Sequence, residues 1–263
     1  MNLKPVIQGL AAAGLIASAS AYALPTLQLG IAGATYDNTT ETSVATSNPF
    51  TLYAFLTPDK NNDLTDTYRI AIALTPQTST AGNYGTFTID GGTPIDVTAD
   101  MVYGTPPLET IHDQLSDPGD LPTHGIYDTY FFELSFTFDG SNEAAGLDVQ
   151  DNADLSGLDL SGSGMYYQTF EIDISGLADG YGLHFDLYNT AICTNDKGQC
   201  QVVGDIDQTQ FAPFSHDASS GPDDGGDDGD DQDDIQISEP SPLALFGALL
   251  AVAGFSRRLR SKR

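Results

Sequence analysis

The sequence predicts an all-β domain built as an antiparallel β-sandwich. Apolar and polar residues alternate with a period of two in seven segments, a pattern typical of strands with one face on a core and one in water. Glycine, asparagine, aspartate and proline lie between these segments and favour turns. Two sheets packed face to face, in a jelly-roll or immunoglobulin-like topology, satisfy this pattern.

The seven predicted strands follow one another between residues 27 and 188. The clearest is the segment from Tyr130 to Phe138, where Glu133, Ser135 and Thr137 alternate with four apolar side chains. The apolar positions, strand by strand, are Leu27, Leu29 and Ile31; Leu52 to Leu56; Ile70, Ile72 and Leu74; Phe87 and Ile89; Phe132, Leu134, Phe136 and Phe138; Phe170, Ile172 and Ile174; and Leu183, Phe185 and Leu187.

One short helix is expected in the loop before the fifth predicted strand. Pro107 can occupy its first turn, and Leu108, Ile111 and Leu115 follow at helical spacing before Pro118. This helix would decorate a loop and contribute little to the core.

Residues 1–23 have the features of a secretory signal peptide. Lys4 provides the positive start, Val6 to Ala17 is mostly small and apolar, and Ala21 and Ala23 form an A-x-A cleavage site. The alternative, an N-terminal helix of the fold, is disfavoured because the segment has no polar face. We therefore expect a signal peptidase to release a mature chain that begins at Leu24.

The last 26 residues, 238–263, form a tail of three parts. Ser238, Glu239 and Pro240 precede an apolar run from Leu243 to Phe255. As a helix this run would be about 20 Å long against a hydrocarbon core of roughly 30 Å, which suits a transient stay in the inner membrane. A plain anchor that is never cut is the alternative, whereas an amphipathic core helix is disfavoured because the run is apolar all round. The cations that follow it and resist translocation are Arg257, Arg258, Arg260, Lys262 and Arg263.

This tail resembles a PEP-CTERM sorting signal, with Ser238 where the family has its first proline. The resemblance implies cleavage by an exosortase in a Gram-negative bacterium, and association with exopolysaccharide or biofilm.

Four further segments carry a second resemblance: Ser47 to Tyr53, Asp100 to Leu108, His184 to Thr190 and Phe211 to Ala218. In these segments the ectodomain resembles the choice-of-anchor N family, whose members share an ectodomain across different surface anchors. The resemblance implies a surface protein, and it assigns neither a ligand nor catalytic residues.

The sequence between the two ends divides into a domain, residues 24–218, and a spacer rich in Asp and Gly, residues 219–237. From Leu24 to Ser238 there are 36 carboxylates against three cations (Lys60, Arg69 and Lys197), a net charge of about −33. Such a charge disfavours nucleic acid as a partner and favours cations and basic proteins; solubility or hydration is the simpler explanation. The spacer is expected to be disordered and self-repelling, with weak calcium binding as its alternative.

Two cysteines are present, Cys193 and Cys200, and export would place them in an oxidising compartment. They flank a sequence suited to a turn, so a local disulfide is expected. Closing this short loop would contribute about 2.5 kcal/mol. Their spacing is not that of a zinc site.

An acidic loop after the second predicted strand imitates the start of a calcium-binding EF-hand. It lacks the glycine of the sharp turn, since Leu64 occupies that position. A solvated turn is therefore favoured, and a weak calcium site is the alternative. The candidate ligands are Asp59, Asn61, Asp63 and Asp66.

A second acidic loop contains Asp148, Asp151, Asn152 and Asp154 and has the same two interpretations, a solvated turn or a weak calcium site. Two pentapeptide-like units, 153–157 and 158–162, overlap or follow it. Two units cannot stack into a solenoid, so chance or a tight loop is the favoured interpretation.

His184 and Asp186 alternate on one face of the last predicted strand, which is expected to face solvent. They could bind a metal together with His216 or His124, although a plain surface histidine is the simpler interpretation. Ser215, His216 and Asp217 bring together the residue types of a catalytic triad. Because neighbours in sequence point apart, the segment is interpreted as a closing turn.

The chain contains none of the short motifs that mark serine hydrolases, zinc proteases, phosphate loops or dinucleotide sites. The sequence therefore predicts an exported, non-enzymatic surface or matrix protein without a cofactor, apart from weak calcium. The alternative is a carbohydrate- or calcium-binding adhesion module. Tyr53, Tyr166 and Tyr167 would then provide the surface on which sugars stack.

Overall fold

The computed structural model describes residues 24–108, 128–189 and 208–221. These ranges contain thirteen strands, one short α-helix and two 3-10 helices, and Pro107 and Leu108 are also helical, at the predicted helix start. The α-helix is α1 (Val97–Asp100), which Asp96 caps by accepting hydrogen bonds from the amides of Thr98 and Ala99. The 3-10 helices are Gln208–Gln210 and Phe214–His216. The strands are β1 (Leu27–Ile31), β2 (Thr35–Asp37), β3 (Thr42–Val44), β4 (Phe50–Leu56), β5 (Tyr68–Thr75), β6 (Thr86–Ile89), β7 (Ile95–Asp96), β8 (Val102–Gly104), β9 (Thr129–Phe136), β10 (Glu143–Ala145), β11 (Gly164–Asp173), β12 (Gly182–Tyr188) and β13 (Asp217–Ser219).

The strands form two sheets. The first has the order β1-β4-β11-β6-β7, with β10 also paired to β11. The second has the order β2-β3-β13-β12-β5-β9-β8. All pairs are antiparallel except β3 with β13, which run parallel.

One apolar core contains residues from both sheets. Leu29 and Leu52 come from the first sheet, and Ile72 and Leu183 from the second, and all four are fully buried. Two aromatic pairs span the sheets with perpendicular rings, Phe50 with Phe185 at 6.0 Å and Phe136 with Phe170 at 5.2 Å between ring centroids. The prediction of an all-β fold is confirmed, and two sheets around one core are the arrangement of a β-sandwich.

All seven predicted strands are present, as β1, β4, β5, β6, β9, β11 and β12. The other six strands have only two or three residues each. Such segments are too short for an alternating pattern to be recognised, and they form because longer strands offer them a partner.

The prediction that one face of each strand meets solvent is wrong for three strands. Gln28 on β1, Ala71 and Ala73 on β5, and His184 and Asp186 on β12 occupy the predicted solvent face, yet each is at most 3% exposed. Alternation separates the two faces of a strand, but it does not show whether a further layer covers the second face.

On the first sheet, that further layer is the stretch from β10 to residue 158. Leu147, Val149 and Leu155 form a second apolar cluster with Phe55. Buried Gln28 fixes this layer, because its amide nitrogen donates to the Leu147 carbonyl and its amide oxygen accepts from the Val149 amide, both at 2.9 Å. The predicted tight loop over 153–162 begins in this layer and consists of successive turns.

The folded region extends beyond the predicted domain end at residue 218. Ser219 belongs to β13 and is fully buried, and it pairs with His184 of β12. The predicted spacer therefore cannot begin at Ser219, because this residue contributes to the sheet.

Several predictions fall outside the described residues. They are the signal peptide with Ala21 and Ala23, residues 109–115 of the predicted helix, the Cys193–Cys200 disulfide, and the tail with Ser238, Glu239, Pro240, Arg257 and Arg258. Among the residues that are described, no helix is long and apolar enough to cross a membrane.

We predict that Gly85→Ala strongly destabilises the fold. Gly85 has a φ of +85°, and an added Cβ would lie 2.1 Å from the Gly176 carbonyl oxygen. Gly91 is the matched control, since its φ is also positive (+63°) and a Cβ there would meet nothing within 4 Å. Both variants incur backbone strain, but Gly85→Ala adds a clash with backbone and should cost about 2 to 4 kcal/mol more in urea unfolding. Equal losses for the two variants would contradict this packing.

Candidate functional site

The second face of β12 carries a buried group of three ionisable side chains, His184, Asp186 and Asp217, which we call the His-Asp-Asp group. His184 and Asp186 lie two residues apart on β12 and therefore point to the same face. β13 pairs with β12 so that Ser219 lies opposite His184. Asp217, two residues before Ser219, therefore also points to this face. The three residues are 1%, 3% and 2% exposed.

The three side chains converge on one ring nitrogen. His184 Nε2 lies 3.2 Å from Asp186 Oδ1 and 3.4 Å from Asp217 Oδ2. One nitrogen or oxygen atom of each side chain can be chosen so that the three atoms lie within 4.8 Å of one another. Among the described residues, this is the one group of three His, Cys, Asp or Glu side chains that could hold a metal ion. The group can supply one nitrogen and two oxygen ligands, or it can hold a proton between an imidazole and a carboxylate.

Small residues of β5 lie beside the group, and a buried tyrosine follows it along β12. Ala73 and Ala71 of β5 lie opposite His184 and Asp186 in register, so no large side chain from β5 stands beside them. Tyr188 is fully buried on the same face, and its hydroxyl donates a hydrogen bond to Glu133 of β9. Burial, followed by the charge of Glu133, raises the pKa of Tyr188 well above its usual value. Tyr188 therefore remains a protonated donor.

The structure revises the metal hypothesis in two respects. His184 and Asp186 do share a face, as expected, but that face is buried. Their third partner is Asp217, whereas the sequence suggested His216 or His124. His124 lies outside the described residues. The one sequence feature that drew attention to Asp217 was its place in the segment Ser215 to Asp217, whose last residue begins β13. A strand of three residues is too short for an alternating pattern to show which face Asp217 occupies.

His216 instead belongs to a different contact. The Ser215 hydroxyl lies 2.8 Å from His216 Nδ1, and His216 Nε2 lies 3.1 Å from Asp148 Oδ1. The sequence argument that adjacent residues point apart is wrong for Ser215 and His216, while Asp217 does turn away, to His184. Burial lowers the pKa of His216, with Asp148 acting in the opposite direction. A neutral imidazole thus connects the turn before β13 to the loop at residue 148.

Three of the four calcium candidates, the aspartates, already accept hydrogen bonds within their own loop, while the Asn61 side-chain amide donates to the Thr209 hydroxyl. Asp59 Oδ1 accepts from the Asn61 amide, Asp63 Oδ1 from the Thr65 amide, and Asp66 Oδ2 from the Asp63 amide. Calcium binding here stays a prediction, and it would have to compete with these bonds.

Asn189 holds this loop against the end of β12. Its side-chain nitrogen lies 2.9 Å from each of three oxygens, the Asn61 carbonyl, Asn62 Oδ1 and Asp66 Oδ2. Two amide hydrogens are thus shared among three acceptors. Asn189 is 8% exposed, so a donor at this position satisfies oxygens that water reaches poorly.

Many of the exposed carboxylates have a defined structural use. In five turns an aspartate oxygen accepts a hydrogen bond from the amide of the Ser or Thr two residues later. Hydrogen bonds from the hydroxyl or amide of that Ser or Thr lower the pKa of each aspartate. The five are Asp63, Asp139, Asp154, Asp159 and Asp173.

We predict that Asn189→Asp destabilises the fold at neutral pH by about 2 to 4 kcal/mol, because it replaces a buried donor by an acceptor facing three oxygens. Urea unfolding measures the loss. Asn83→Asp is the matched control, since exposed Asn83 uses its side-chain oxygen to accept from the Gly85 amide and a carboxylate can do the same. If Asn189→Asp were no more harmful than Asn83→Asp, the assigned orientation of the Asn189 amide would be wrong.

We predict that Ser161→Ala raises the pKa of Asp159, because the Ser161 hydroxyl bond, 2.6 Å long, is the first cause of the lowered value. Carboxyl-carbon NMR titration measures it, and Asp154, which keeps Ser156, is the internal control. Since the folded pKa is lowered, the contribution of this turn to stability is present above the unfolded carboxyl pKa. It is lost as the pH falls through the folded value, and this acid-dependent loss should be smaller in the variant. An unchanged Asp159 titration would contradict the assignment.

Comparison of the chain with protein-family models, with curated proteins and with solved structures gives no match.

Proposed function

We propose that this chain is an exported, non-enzymatic surface or matrix protein that an exosortase processes at its C-terminus. The observation that carries the proposal is the pair of terminal sequences, residues 1–23 and 238–263, which resemble an export signal and a sorting signal. The first strand begins at Leu27, just after the expected signal-peptidase site, and β13 ends at Ser219, just before the run of aspartates. The described strands thus lie entirely between the segments that resemble export and sorting signals.

The charge of the domain supports a role in a hydrated matrix. Four of the five turn aspartates are exposed and Asp173 is half-buried. All five have lowered pKa values, so they remain ionised even in mildly acidic surroundings. A permanently anionic surface repels nucleic acid and retains water and cations. In this proposal the protein resides in the exopolysaccharide layer of a Gram-negative bacterium, after a transient stay in the inner membrane.

The finer architecture belongs to the same proposal. The β-sandwich has a jelly-roll or immunoglobulin-like topology, an acidic spacer begins after β13, and a short membrane segment at 243–255 precedes the basic end. Signal peptidase and exosortase are the processing enzymes.

A carbohydrate-binding adhesion module is the second candidate, and one observation favours it. Tyr53 of β4 and Tyr167 of β11 are half-buried neighbours on the outer side of the first sheet, with ring centroids 6.0 Å apart and planes 41° apart. Adjacent, partly exposed rings can stack against sugars. Titration calorimetry with the host's exopolymer tests this candidate, with Tyr167→Ala as the variant expected to lose the heat of binding. No heat with the unaltered protein at millimolar concentration would exclude it.

We predict that surface material contains a chain ending between Ser238 and Pro240, without the terminal arginines. The chain should be produced in a Gram-negative host with an exosortase, and mass spectrometry of the C-terminal peptide is the measurement. The same host without its exosortase is the control and should retain the intact end. Intact C-termini in both hosts would leave only the plain anchor.

A substrate panel tests the non-enzymatic assignment separately. The purified chain is expected to leave glycoside, ester and peptide substrates unchanged. The contact of Ser215, His216 and Asp148 provides the sharpest control, because a catalytic role for it would require activity that Ser215→Ala abolishes. Turnover lost in that variant would make the protein an enzyme.

A further inference from the structure

We propose that His184, Asp186 and Asp217 bind one divalent transition-metal ion of the Zn²⁺ class on the second face of β12. This inference goes beyond export and sorting, and it does not depend on them. It rests on the distances, burial and composition of the His-Asp-Asp group.

Two of the distances within the group match those between ligands of one ion. Nitrogen and oxygen ligands bound at about 2.0–2.2 Å, at tetrahedral or octahedral angles, lie roughly 2.8–3.6 Å apart. The separations of 3.2 Å and 3.4 Å from His184 Nε2 to the two carboxylates fall in this interval. The third separation, between the carboxylates, is no more than 4.8 Å. An ion that contacts all three residues would draw the two carboxylates toward the same interval.

A divalent ion also suits the charge of its ligands. A neutral imidazole and two ionised carboxylates together carry two negative charges, which a divalent ion would balance. This balance lowers the cost of burying ligands that are at most 3% exposed.

The ligand set selects the class of ion. Imidazole nitrogen suits zinc and its first-row neighbours, whereas calcium and magnesium prefer shells made of oxygen. Three protein ligands leave a further coordination position for water or another donor.

The scaffold holds the ligands in fixed positions. β12 lies between β13 and β5, and both neighbours are hydrogen-bonded to it. Two ligands come from one strand and the third from the adjacent strand, and residues on paired strands are held more precisely than residues on loops. Ala71 and Ala73, which lie opposite Asp186 and His184 in register, place no bulky side chain of β5 directly beside the ligands.

The test is calorimetric titration of the metal-depleted full-length chain with Zn²⁺ alone, with His184→Gln and Asp217→Asn as variants. We expect one tight equivalent in the unaltered protein and an affinity at least about tenfold weaker in each variant, because removal of even an outer-shell partner of a metal ligand has that effect. Asp148→Asn is the matched control, since it alters a carboxylate paired with a histidine outside the group. It should bind Zn²⁺ within about twofold of the unaltered chain. The aspartate-rich region after β13 is common to all variants and cannot produce the difference.

Two further measurements keep the outcome decisive if a variant does not fold. X-ray absorption of the zinc-loaded unaltered chain should show low-atomic-number nitrogen and oxygen neighbours at about 2.0–2.2 Å, with the outer-shell signature of one imidazole. Titration with Ca²⁺ should compete poorly for the same site. Any one of four results would overturn the proposal. Two concern affinity: absence of tight zinc binding, or equal zinc affinity in the unaltered protein and folded Asp217→Asn. The other two concern the site itself: zinc neighbours without an imidazole, or preferential binding of Ca²⁺.

Discussion

Strand β12 is covered on both faces, and this constraint determines which side chains it can carry. On one face Leu183, Phe185 and Leu187 complete the core between the sheets. On the other face, His184, Asp186 and Tyr188 are buried as well. Buried polar groups require partners. Asp217 of β13 lies beside His184, and Glu133 of β9 accepts the hydrogen bond of the Tyr188 hydroxyl.

The acidic composition of the chain has more than one physical role. Exposed aspartates such as Asp139 and Asp159 accept hydrogen bonds in turns, where they compensate backbone amides that no strand satisfies. Asp186 and Asp217 are buried and surround an imidazole. A count of carboxylates therefore cannot distinguish solubility from structure or from ligand binding. The distinction depends on whether a given side chain faces its own loop, the solvent or a neighbouring strand.

Sequence periodicity was sufficient for the fold class and for the seven long strands, because an alternating run records which side chains point inward. It was insufficient for the short strands and for burial of the second face. His184 and Asp186 could be assigned to one face from their spacing alone. Their partner could not be identified, because Asp217 reaches them through the pairing of β13 with β12, which depends on contacts between residues distant in sequence. The signal peptide and the sorting signal stay predictions from the sequence, since residues 1–23 and 238–263 lie outside the described ranges.

The burial of His184, Asp186 and Asp217 depends on the second face of β12 being shielded from solvent. Hydroxyl-radical footprinting of the folded chain measures this shielding, with Tyr188 on β12 compared with Tyr167 on β11. Both occupy positions that alternation alone assigns to solvent, but Tyr188 is fully buried and Tyr167 is partly exposed. We expect Tyr188 to be oxidised much more slowly than Tyr167 until the protein unfolds. Oxidation of Tyr188 at the rate of Tyr167 in the folded protein would mean that this face is open to solvent.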